Sequence, residues 1–96
     1  MNVCVFKGKL AEDPQLVLED GVSFLDLCIV VNNYRITKST KERSKTPTYL
    51  YCEAWSSGAE AIAASFKKGQ EITVHCTAKN ISETDDRVIF RINEFE

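Results

Sequence analysis

The sequence is short of the residues that break or blur structure. It holds four glycines and two prolines in 96 residues, which excludes a collagen-like chain, a proline-rich linker and a low-complexity tail. No apolar run approaches the roughly 18 residues of a membrane-spanning helix. The opening MNVCVFKGKL lacks the apolar stretch of a secretory signal, so a cytoplasmic, intracellular protein with no membrane partner is expected. An excess of one charge is missing too. Twelve basic against fourteen acidic residues give a net charge of −2, which excludes a uniformly basic coat protein. There is no C-x-x-C pair. Cys4, Cys28, Cys52 and Cys76 recur every 24 residues, but their flanks VCVFK, LCIVV, YCEAW and HCTAK share no pattern. They read as thiols in apolar runs, and no metal or other cofactor is expected. Catalytic signatures are absent as well. The single histidine, His75, has no assignable partner, and neither a phosphate-cradling glycine loop nor H-E-x-x-H occurs, so an enzyme is not expected.

What is present reads as one small domain, residues 1–96, with 44% hydrophobic and 27% charged residues. Val3–Leu10 favours a strand, and Asp13-Pro14 breaks it. Gln15–Leu18 reads as a short continuation, and Glu19-Asp20-Gly21 as a turn. Val22–Val31 is a long, almost continuously apolar strand with Leu25, Leu27, Ile29 and Val31 on one face. Thr37–Lys45 is polar and without period, and reads as a flexible loop. Pro47–Trp55 resumes as a strand, with Leu50, Cys52 and Ala54 on one face and Tyr49, Tyr51, Glu53 and Trp55 on the other. Ser57-x-x-Glu60 reads as a capping box opening a helix with the stripe Ala59, Ile62, Ala63 and Phe66. Lys67-Lys68 are expected in its last turn, with Gly69 as its stop. Glu71–Lys79 and Val88–Phe95 supply two further strands around a turn at Glu83–Asp86. Five strands with one helix between the third and fourth predict an all-β Greek-key barrel of the OB type.

The charge is unevenly placed. Arg35, Lys38, Lys41, Arg43 and Lys45 face only Glu42 within one eleven-residue window, leaving +4 there and −6 elsewhere. Tyr49, Tyr51 and Trp55 share one face of one strand, and Tyr34 ends the neighbouring strand beside the basic window. The opposite face already supplies a core. Exposed aromatics among cations suit a single-stranded nucleic acid, whose bases stack on flat rings while Lys and Arg hold its phosphates. They equally suit packing against another subunit or under the loop. Phe6, Phe24, Val30 and Phe95 are further apolar strand residues expected to reach the surface.

The order of short motifs resembles the bacterial-type single-stranded DNA-binding proteins along essentially the whole chain. Asn2, Gly8-Lys9-Leu10 and Asp13-Pro14 are similar to that family's opening strand and turn. Val31-Asn32, Cys52-x-Ala54-Trp55, Ala59-Glu60 and Lys67-Lys68-Gly69 follow in family order. The resemblance implies an OB-fold that binds single-stranded DNA without sequence preference in replication, recombination and repair, assembled as a homotetramer or homodimer. It implies stacking roles for Tyr34, Tyr49 and Trp55, and phosphate contacts from Lys9, Arg35 and Lys79. There are departures. Ile81 or Glu83 stands where the family carries a loop aromatic, Val17-Leu18 replaces an Arg-aromatic pair, and Glu53 sets a negative charge between Tyr51 and Trp55. No glycine-rich linker or acidic tip follows the last strand, so recruitment of other replication proteins through such a tail is not expected. This pattern is similar to phage or plasmid members and to the primosomal replication protein. The alternative reading is therefore a primosome-like protein-interaction module with weak nucleic-acid binding.

Overall fold

A computed structural model describes the whole chain, residues 1–96. Its elements run β1 (Cys4–Leu10), β2 (Gln15–Glu19), β3 (Val22–Ile36), β4 (Arg43–Trp55), α1 (Ser56–Ser65), β5 (Glu71–Ser82) and β6 (Asp85–Phe95). The barrel closes through five of the six strands. β1 pairs β5, β5 pairs β6, β6 runs parallel to β4, β4 pairs β3, and β3 returns to β1 at Lys9↔Val30 and Leu10↔Ile29. The expected OB-type barrel is thus the observed one, with its helix between β4 and β5. The segment read as a continuation, Gln15–Leu18, belongs instead to a separate edge strand, Gln15–Glu19, laid outside β3.

Local chemistry accounts for the turns. Asp20 and Gly21 both have positive φ, at 50° and 77°, and join β2 to β3 in a two-residue hairpin. Asp-Gly is a favoured pair where the right-handed twist of the strands demands such a turn. Closure needs a close approach at Gly8. A methyl group there would overlap the Val30 carbonyl oxygen and lie 2.8 Å from the Ile29 Cγ2. The core is small and made of the inward faces: Leu10, Leu25, Ile29, Ile72 and Val74 are almost wholly buried, and Ile62 of α1 caps them. Burying each such side chain contributes about 1.5–3 kcal/mol.

Four expectations are corrected. The window Thr37–Lys45 is not one loose loop. β3 and β4 stay paired out to Ile36↔Arg43, so Arg43 and Lys45 lie on a strand and only residues 37–42 turn. Thr37 donates its N–H to the Glu42 carbonyl at 2.9 Å, and Lys41 donates to the Thr37 carbonyl at 2.7 Å. The helix has no capping box, because its N-cap residue is Trp55 and no side chain caps it. Glu60 instead accepts a hydrogen bond from the Ser23 hydroxyl at 2.7 Å, fastening α1 to β3. Lys67 and Lys68 follow the helix rather than end it. Gly69, at φ 85°, belongs to a separate turn closed by Gln70 N–H to the Lys67 carbonyl at 3.0 Å. Finally, the expected apolar surface is partly internal. Phe6 meets Phe90 edge-on at 4.9 Å, Phe66 meets Phe95 at 5.9 Å, and all four pack against the core.

Candidate nucleic-acid interface

Strand alternation divides β3 and β4 into two faces, and register decides what shares the outer one. Seven outward pairs stand in sequence along the two strands: Phe24↔Trp55, Asp26↔Glu53, Cys28↔Tyr51, Val30↔Tyr49, Asn32↔Pro47, Tyr34↔Lys45 and Ile36↔Arg43. Successive outward residues on a strand are about 6.8 Å apart. Tyr34, Tyr49 and Tyr51 are 57%, 55% and 63% exposed on this face, so their rings are not needed by the core. Lys9 joins the same row, since β1 sets it beside Val30, which faces Tyr49. Arg43 lies over the Tyr34 ring at 4.2 Å from its centroid, a cation–π contact that holds the ring and a positive charge together.

Other sequence-selected residues are placed differently. Trp55 is half-buried and packs at a 54° tilt against Phe24, with ring centroids 4.4 Å apart, so part of its ring is already covered. Arg35 alternates to the opposite side of the hairpin from Tyr34, beside Ser44. Lys38 and Lys41 sit in the turn at the hairpin tip. Lys79 stands on β5 with its ammonium 3.0 Å from the Glu53 carboxylate, which is itself 9% exposed. Its charge is therefore already countered.

Sequence reasoning missed the groove beside these rings. A cavity of about 660 Å³ runs between the outer face of β3 and β4 and the β5–β6 hairpin. Leu27, Cys28, Tyr51 and Cys52 line one side, and Ile81, Arg87, Val88 and Ile89 the other. Glu12 and Asp26 reach into the same groove. Asp26 had a visible signal, being the one charged residue inside the apolar run Val22–Val31. Burial, then the nearby Glu53 and Glu19, raises its carboxyl above the ordinary range. Burial, then Glu12, likewise raises the Cys28 thiol. Arg87 holds Asp85 in a forked bridge of 2.6 and 3.0 Å, which lowers the Asp85 carboxyl to about 2. No group of residues in the chain is arranged to hold a metal ion.

Comparison with known proteins bears on the family and the fold. Residues 1–90 match the single-strand binding protein family. The chain is 30% identical over 76 residues to the single-stranded DNA-binding protein of Fusobacterium nucleatum, covering 78% of this chain and 49% of that relative. It therefore spans about half the length of the curated relative it matches. In structure, the whole chain overlays 49% of the wild-type single-stranded DNA binding protein from Thermus aquaticus, with a TM-score of 0.81 at 20% identity. It also overlays 94% of the SSB domain of a Synechococcus protein, with a TM-score of 0.75 at 14% identity. Those two likenesses concern the fold. With a family match running almost end to end, a closed OB barrel and an open aromatic face on β3 and β4, the chain belongs to the single-strand binding protein family.

Proposed function

We propose that this protein binds single-stranded DNA without a defined target sequence, and does not act as an enzyme. The observation that carries this reading is the row of exposed Tyr34, Tyr49 and Tyr51 rings on one outer face, interleaved with Lys9, Arg43 and Lys45. Bases stack on the rings, and the cations neutralise phosphates along the same line. Lys38 and Lys41 extend the positive charge to the hairpin tip. Trp55 contributes its uncovered side and reports on the track from its end. Family membership supports roles in replication, recombination and repair inside the cell. It also supports a homo-oligomer, for which Val3 and Val5 are exposed and the Cys4–Gly8 edge facing away from β5 is unpaired.

The test is a titration with oligo-dT of about 35 nucleotides, following Trp55 emission against a duplex control. Single strands should change the emission and duplex should not. Five available cations, Lys9, Lys38, Lys41, Arg43 and Lys45, predict that log K falls with log salt at a slope near −3.5, from about −0.7 per contact. No binding at low salt, by emission and by anisotropy, overturns the reading and returns the aromatic face to a protein partner.

A further inference from the structure

The groove beside Tyr51 has an unusual lining for a nucleic-acid track. Its floor is apolar, and its volume of about 660 Å³ falls in the range of small-molecule sites. Of its three charged residues, Arg87 is already engaged by both oxygens of Asp85. The other two are the carboxylates of Glu12 and Asp26, and neither takes part in any of the chain's ion pairs. A phosphate is repelled from such a groove, whereas a base is not. The apolar floor and the Tyr51 ring suit its flat faces, and the carboxylate suits whatever N–H donors its edge carries.

We infer that Asp26 makes this groove a base-selecting subsite that favours guanine over thymine; the inference rests on the single-strand binding reading above. A carboxylate offers only acceptors. Guanine's Watson–Crick edge presents two adjacent donors, N1–H and the N2 amino group, and a carboxylate accepts both in a forked pair. Thymine presents one N–H between two carbonyl oxygens, which a carboxylate repels. The phosphates then run past Lys9, which pairs with Val30 and so stands two outward steps from Asp26, about 13 Å along β3. Non-sequence-specific binding along the tyrosines is retained, with one position in the track biased by base type.

The decisive experiment compares 20-nucleotide strands in one salt: all thymine, thymine with isolated guanines at every fifth position, and the same strand with inosine, which lacks the N2 amino group. Guanine strands should bind about fivefold or more tighter than all-thymine, with inosine between them. Asp26→Asn supplies a reciprocal arm. An amide offers one donor and one acceptor, which match thymine's O4 and N3–H, so the variant should lose the guanine preference and shift toward thymine. Equal or weaker binding of guanine strands by the unaltered protein overturns the inference, as does a guanine preference that survives Asp26→Asn. Failure to bind any strand removes the track reading itself, an outcome distinct from thymine binding without a preference.

Discussion

Single residues carry separable duties in this small barrel. Gly8 is required by close approach, because a methyl group there meets the Val30 backbone and the Ile29 side chain. Gly8→Ala should destabilise by about 1–3 kcal/mol, read as a lower urea midpoint with an unchanged slope. Asp26 opposes Glu53 across β3 and β4, and its carboxyl is raised by burial first and by that neighbour second. The sign follows. The ionised form is disfavoured in the native state, so the penalty is full above the raised folded pKa and vanishes below the unfolded value of about 3.9. Asp26→Asn should therefore melt higher than the unaltered protein at neutral pH and equally near pH 3, by thermal denaturation at both. Legibility at this scale was uneven. The alternation around Tyr49, Tyr51 and Trp55 is plain in the sequence. The pairing of Lys79 with Glu53 joins residues 26 positions apart and has no local signature.

At the scale of elements, the β3–β4 hairpin positions the tyrosines and most of the free cations. Replacing Tyr49 or Tyr51 by alanine should weaken oligo-dT binding by about 1–3 kcal/mol each, roughly 5- to 150-fold, with little change in melting temperature because both rings are exposed. Lys79→Ala should change the salt slope far less than Lys45→Ala, since Lys79 is already held by Glu53. Parallel salt titrations of the two variants check this. The outer half of the hairpin was the least legible element. With solvent on both sides it has no hydrophobic alternation, so its residues read as loop. Its backbone pairs nonetheless, and the Asn33 amide donates to the Thr48 hydroxyl at 2.6 Å across the strands. The helix was legible from its stripe, but its ends were not. Ser57 and Glu60 have the spacing of a cap, while tertiary contact gives Glu60 to Ser23.

At the scale of the molecule, the Cα radius of gyration is 15.3 Å, against roughly 13 Å for a compact domain of about 100 residues. The longest extent is 56 Å and the shortest 21 Å, so the molecule is elongated. All the buried core residues lie outside residues 33–46, so the hairpin's outer half adds little to the barrel's stability. Replacing residues 34–45 with an Asn-Gly turn should leave a cooperatively folded barrel by circular dichroism. It removes four of the five available cations, and the salt slope should fall from near −3.5 to about −0.7.

Strand alternation, the Asp-Gly turn, the apolar runs and the helix stripe are local, and they suffice to specify the class of fold and the outward rings of β4. What lies across from what is not local. Which strands close the barrel, the groove with Asp26 at its wall and the neutralisation of Lys79 all depend on register between distant segments. Pairing energy there comes from backbone hydrogen bonds common to every residue, so only the folded chain selects the partners.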